Sequence, residues 1–302
     1  MTDEKFLDKK MDRREFLKKA GIGGAGLALG LSGASAFFAN QDSSTKKALD
    51  GDEDISFFGK HQAGITTPMQ KACYLVVLDL HTTDKKEVIQ LFKDWTDYSS
   101  KLVEGELVKK DGSNALLPPT DTGETVGLNP YRLSLTFGVS ADFLKKLGLE
   151  SKRPKLFRDL PPFPKEQLQD KYTGGDIVIQ ACADDEQVAF HAVRNLIRKG
   201  RNKITMKWSK SGFAAIGDRK ETPRNLFGFK DGTANVTTEK EFDKVVWTDS
   251  KDWMKGGSYM ALRLVQMHLE TWIVPICRNR KTPLVAIRNQ VRPLVRKMSL
   301  TK

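Results

Sequence analysis

The stretch Gly228-Phe229-Lys230-Asp231-Gly232-Thr233-Ala234-Asn235 sets one carboxylate between two glycines in a polar, basic run. Glycine tolerates positive φ and carries no Cβ, so the backbone can approach a flat ligand while an Asp projects from the turn. A projecting carboxylate can take a proton from one atom of a bound molecule and return it to another, which is general acid–base chemistry. The Asp-Gly dipeptide alone describes an ordinary turn equally well. Other candidates are weaker. Asp184 and Asp185 resemble paired catalytic carboxylates, but they open a helical pattern, where negative charge and side-chain capping are favourable. His61, beside Gln62, reads as a hydrogen-bonded structural residue, and His191, inside a helical stretch, as a packing or hydrogen-bonding one. Cys73, Cys182 and Cys277 show no CxxC or CxH spacing, and their odd number argues against a disulfide framework. Cys73 and Cys182 each fall in an apolar run and read as small core residues.

The elements that would position these residues follow from periodicity. Ala72 to Leu80 is an apolar run of strand length, and Val88, Ile89, Leu91, Phe92 and Trp95 give Asp84 to Glu104 a helical face. Tyr131 to Phe137 alternates polar and apolar, Asp176 to Cys182 is a second apolar strand, and Ile204 to Trp208 closes the set. Asp184 to Arg198 reads as a helix with acids at its start and Gly200 just past its end. The order β-α-β-β-α-β predicts an α+β, ferredoxin-like unit, with helices on one face of a sheet.

Pro223-Arg224-Asn225-Leu226-Phe227, followed by Gly228-x-x-Asp231-Gly232-Thr233-Ala234-Asn235, resembles the GxxDG signature of dye-decolorising haem peroxidases. Within them it looks most like the twin-arginine-exported deferrochelatase/peroxidase branch. Gly59-Lys60-His61-Gln62-Ala63-Gly64-Ile65, Leu128-Asn129-Pro130, Leu160-Pro161-Pro162-Phe163-Pro164 and Gly175-Asp176-Ile177-Val178-Ile179-Gln180 carry the likeness further, over residues 57–272. The resemblance implies two ferredoxin-like units of the dimeric α/β-barrel type, a haem b cofactor and hydrogen peroxide as a substrate. It makes Asp231 the catalytic proton shuttle on the distal haem face. It sets Gly232, Thr233 and Ala234 along the porphyrin edge and turns Arg224 toward a propionate. It also implies release of iron from haem for an envelope iron-uptake system, and a homo-oligomer in the intact family.

By this reading, residues 57–215 form the first unit, and residues 216–272 hold the haem motif and the first strand, Gly257 to Trp272, of an incomplete second unit. The likeness ends after Trp272. Residues 273–302 hold eight basic residues, no acid and prolines 275, 283 and 293, a density that forbids a long helix or central strand. Such a tail reads as a frameshift, which codons of the gene would test. An axial histidine and a distal arginine cannot be placed in this sequence, so a non-catalytic haem-binding envelope protein, or an inactive fragment, stands as the alternative function.

The net charge of +12 suggests an acidic partner, but +8 of it lies in residues 273–302 and +2 in residues 1–36. The near-neutral body excludes a nucleic-acid footprint. Asp12-Arg13-Arg14-Glu15-Phe16-Leu17-Lys18, a Gly-rich weakly apolar run and Ala34-Ser35-Ala36 read as a twin-arginine signal peptide over residues 1–36. That predicts the twin-arginine translocase as a partner and a periplasmic, envelope or extracellular location. Residues 37–56, rich in Ser, Lys and Asp, read as a disordered linker.

Overall fold

The structure is a computed structural model and describes residues 55–109, 118–214, 223–232 and 234–270. The expected signal peptide, most of the linker and the tail from 271 lie outside those residues, as do Thr233 and Cys277. The chain divides into two units. Among the described residues the first comprises 55–214 with 237–261, and the second comprises 223–236 with 262–270. Residues 237–261, adjacent in sequence to the glycine-flanked Asp231 motif, thus fold with the first unit.

The first unit runs β1 (Ala72–Leu80), α1 (Lys85–Val103), β2 (Ser134–Val139), α2 (Ala141–Lys146), β3 (Ile177–Ala183), α3 (Glu186–Gly200), β4 (Ile204–Phe213) and α4 (Glu239–Val245). The strands form one antiparallel sheet in the order β2-β3-β1-β4. This is the expected ferredoxin-like arrangement. A strand alternates its side chains, so β1 turns Val76, Leu78 and Leu80 toward the helices and Cys73, Leu75 and Val77 to the opposite face. The first set joins Ile177, Ile179, Ala181 and Ala183 of β3 in the main core, under Val88, Leu91 and Trp95 of α1 and Val188, Ala192 and Leu196 of α3. Leu75 and Val77 form a smaller cluster with Trp208.

Local chemistry sets the helix ends. The Asp84 carboxylate accepts from Lys86 N at the start of α1, and Asp185 accepts from Gln187 N and Val188 N at the start of α3. Of the two acids predicted to cap α3, only Asp185 does so. Asp184 instead pairs with the buried Arg132 at 3.0 Å and accepts from Lys71 N.

Two expected strands differ. β2 begins at Ser134, not Tyr131, because Tyr131 (φ 46°) and Arg132 (φ 54°) adopt left-handed backbone that cannot join a ladder. That bend lets the Arg132 guanidinium reach Asp184 and Pro68 O. In the described part of the strand expected over Gly257 to Trp272, residues 257–270, the backbone does not form a strand with any other described residue. Tyr259, Met260, Leu262, Leu264 and Val265 are exposed there. A strand exists only through its ladder, and alternating apolar residues do not supply the partner.

Candidate functional site

In the second unit the predicted motif forms a tight hairpin. Arg224 and Lys230 make an antiparallel bridge, and Asn225 N donates to Phe229 O at 2.9 Å. The Asn225 side chain organises the bend: its Oδ1 accepts from Phe227 N at 3.0 Å and Phe229 N at 3.2 Å, an Asx turn. Gly228, at φ 81°, closes that turn, and Arg224 donates to its carbonyl at 2.9 Å.

Asp231 follows directly. Its amide donates to Pro223 O at 2.8 Å, so the backbone is committed to the hairpin while the carboxylate is exposed. Gly232, at φ 85°, then turns the chain back, with Asn235 N donating to Gly232 O at 3.0 Å. A Cβ at Gly232 would lie 2.9 Å from Asn235 Nδ2, the end of a side chain that can move aside, so it is the positive φ that reserves the position for glycine. Asp231 thus stands between two glycine-dependent bends. Arg224 also lies on this hairpin and is exposed, with one guanidinium nitrogen tied to its own turn.

The histidines of the first unit are engaged elsewhere. His61 Nδ1 donates to Gly256 O at 2.8 Å, His81 Nε2 contacts Thr205 Oγ1, and His191 Nδ1 lies 2.6 Å from Glu124 Oε2. His61 and His191 therefore have the structural roles their sequence context suggests. His268 is exposed in the second unit. Among the described residues, no group of three or more His, Cys, Asp and Glu is arranged to hold a metal ion.

One polar cluster escaped sequence reading. Fully buried His191 on α3 lies between Glu124 and Asp121 Oδ1, the latter at 3.5 Å, while Asp121 also accepts from Val108 N and Gly123 N. Arg194 pairs with Glu124, and Asn195 donates to Thr122 Oγ1 at 2.9 Å. Burial pushes the Glu124 carboxyl up, but hydrogen bonds from Thr122, His191 and its own backbone and the Arg194 charge outweigh that, lowering it to about 2. The cluster's partners lie some seventy residues apart, and it clamps the 120–124 loop onto α3. The helical spacing of His191, Arg194 and Asn195 is visible in the sequence, but the loop they meet is not.

A ferredoxin-like unit followed by a GxxDG hairpin that presents a carboxylate defines a dye-decolorising type of haem peroxidase scaffold. The Dyp-type peroxidase N-terminal model matches residues 62–214 and the C-terminal model residues 222–276, and the chain belongs to this family. It is 35% identical over 272 residues to a deferrochelatase of Escherichia coli O157:H7, covering 86% of this chain and 64% of that protein. A deferrochelatase of Escherichia coli strain K12 is 36% identical over 232 residues, covering 73% of this chain and 55% of that one. The crystal structure of a DyP-type peroxidase from Streptomyces coelicolor superposes with a TM-score of 0.61 at 35% identity, covering 68% of this chain and 55% of that chain. An oxyferrous complex of DtpA from Streptomyces lividans gives 0.60 at 35% identity and the same coverage. The chain therefore spans just under two thirds of the length of the first of these relatives.

Haem binding is the expectation this family brings, and the described residues fit one side of it. Asp231 offers an exposed carboxylate beside a glycine backbone that a flat ring can approach, and Arg224 offers a cation on the same hairpin.

Proposed function

We propose that this chain is, or derives from, an exported haem peroxidase and deferrochelatase acting on hydrogen peroxide and on haem. The observation that carries this reading is Asp231, whose carboxylate is left free by a hairpin that has consumed its backbone amide. Haem b, when bound, would supply the redox chemistry of peroxide cleavage. Asp231 would take a proton from one peroxide oxygen and return it to the other. Gly232 would let the backbone lie along the ring edge, and Arg224 would meet a propionate. Removal of iron from the intact tetrapyrrole needs the same pocket, which is why peroxidation and iron release stay together in this reading. The names of the curated relatives support the second activity.

Export rests on the Asp12-Arg13-Arg14 motif and the Ala34-Ser35-Ala36 site, which support passage through the twin-arginine translocase to the periplasm or envelope. There the released iron would serve an uptake system.

The test is hemin titration of the purified chain combined with a peroxide-dependent dye assay, on the natural sequence and on Asp231→Asn. A Soret band saturating at one equivalent in both, with turnover present only in the natural chain, supports the reading. Saturation without turnover in either favours the non-catalytic haem binder, and full activity in Asp231→Asn removes Asp231 from the mechanism.

A further inference from the structure

Cys73 on β1 and Cys182 on β3 are direct register partners in the sheet. Backbone polarity fixes the kind of pair they make. Ala214 N donates to Lys71 O, so odd-numbered residues of the first part of β1 direct their amides and carbonyls toward β4. Phe137 of β2 has both its N–H and its C=O taken by the Gln62 side chain, outside the sheet. Its partner Ile179 therefore bonds toward β1, and Cys182, three residues on, bonds toward β2. Both routes make Cys73 and Cys182 a non-hydrogen-bonded antiparallel pair, which sets Cα atoms about 4.5 Å apart with side chains on one face. Disulfides span Cα separations of about 4.4–6.8 Å.

That face is the one turned away from the helices, and both cysteines are half-buried on it. The two thiols interact directly and unequally. The hydrogen bond from Cys182 lowers Cys73 against the opposing effect of burial. The same hydrogen bond, together with burial and the charge of Cys73, pushes Cys182 up. One sulfur is thus the better nucleophile and the other its proton-holding neighbour.

We infer that Cys73 and Cys182 are a redox-active thiol pair that closes to an intramolecular cross-strand disulfide in the presence of a peroxide. The Cys73 thiol gives up its proton, its thiolate attacks one oxygen of hydrogen peroxide, the O–O bond breaks, and the leaving hydroxide takes up that proton, so that a sulfenic acid and one water form. The Cys182 sulfur attacks the sulfenic sulfur, the S–O bond breaks, and the hydroxyl leaves as a second water with the Cys182 proton. Two thiols are oxidised, one peroxide is reduced to two waters, and no further reactant is needed. The inference depends on sheet register and not on haem binding.

The test uses the full chain carrying Cys277→Ser, so that two thiols remain. After reduction and desalting, the protein is treated with one equivalent of hydrogen peroxide, then denatured, alkylated and analysed by mass spectrometry. The expected result is loss of the mass of two hydrogens, no alkylation, and one linked peptide pair holding Cys73 and Cys182. In Cys182→Ser combined with Cys277→Ser, Cys73 is expected to stop as a sulfenic acid that dimedone traps. Two alkylated cysteines, a sulfinic acid on Cys73 beside free Cys182, or links only between molecules would each overturn the inference. So would a urea-denatured sample forming the same link as quickly as the folded one, since sheet proximity would then not be its cause.

Discussion

The imidazole of His61 lies flat on the indole of Trp247, with ring centroids 3.7 Å apart and planes 7° from parallel. Its Nδ1 donates to Gly256 O, so one side chain ties residues 237–261 to the segment that precedes β1 by a stack and a hydrogen bond. Trp253 adds a second tie by donating to Lys152 O at 2.7 Å. This is why a segment that follows the Asp231 hairpin in sequence belongs to the first unit.

His61→Ala is expected to cost about 1–2 kcal/mol, from a lost aromatic pair and a lost hydrogen bond. The loss should concentrate in residues 237–261. Limited trypsin digestion should show faster cleavage at Lys251 and Lys255, while the sheet stays protected. Unchanged cleavage there, with a normal urea midpoint, would show that the stack holds nothing.

Trp95, 1% exposed, fills the space between α1 and the sheet, and its Nε1 donates to Leu196 O on α3 at 2.8 Å. Trp95→Phe keeps most of the ring volume but leaves that helix carbonyl without this donor, for an expected cost of about 1–3 kcal/mol. Trp95→Ala adds a cavity and is expected to cost about 3–5 kcal/mol. The difference between the two, read from denaturant midpoints, separates hydrogen bond from packing.

The parts of the fold that sequence reading recovers are those decided locally. Strand β1 is found at Ala72–Leu80 because an unbroken apolar run of that length has little other use in a two-layer unit. The hairpin at 223–235 is legible because Asn225, Gly228 and Gly232 make their turns with near neighbours. Helix α4 carries a local signal of the same kind: Thr238 and Glu241 form a capping box at its start. What local reasoning misses depends on distant partners. The left-handed backbone at Tyr131 and Arg132 serves an ion pair with Asp184, and residues 257–268 form no ladder with another described strand. The exposure of Asp231, where a half-buried carboxyl suits proton transfer, is likewise set by what surrounds the hairpin and not by its residues. Cys73 and Cys182 are each apolar-run cysteines in sequence, and only register turns them into a pair.

Asp176 holds the end of the sheet together. Its carboxylate, 2% exposed with the rest of the residue, accepts from Leu80 N and from Lys146 Nζ, both at 2.6 Å. Asp176→Ala leaves the buried Leu80 amide without this acceptor, while the half-exposed Lys146 ammonium keeps Leu80 O and solvent; the change is expected to cost about 1–3 kcal/mol. Asp176→Asn keeps an acceptor for the amide and removes the charge, so it should fall between Ala and the natural residue. If Lys146→Met leaves the stability of Asp176→Asn unchanged, the buried Leu80 amide and not the lost ion pair is the larger part of the loss.

Glu124 makes folding sensitive to acid. Its carboxyl is lowered from the ordinary 4.5 to about 2 in the folded chain, and the groups facing it are Thr122, His191 and Arg194, with Asp121 beyond the His191 ring. The folded state therefore holds fewer protons than the unfolded one between those values, and stability must rise with pH across that window. The contribution is fully present above pH 4.5 and is lost as pH falls toward 2. Glu124→Gln should abolish this dependence, giving a flatter acid limb between about pH 4.5 and 2 in urea-denaturation midpoints. At neutral pH the same variant should be less stable, because the His191 and Arg194 side of the clamp loses its anion. Deuterium exchange would then rise first in residues 120–124, since the loop is held to α3 through this cluster. An acid limb as steep in Glu124→Gln as in the natural chain would show that carboxylates elsewhere govern acid unfolding.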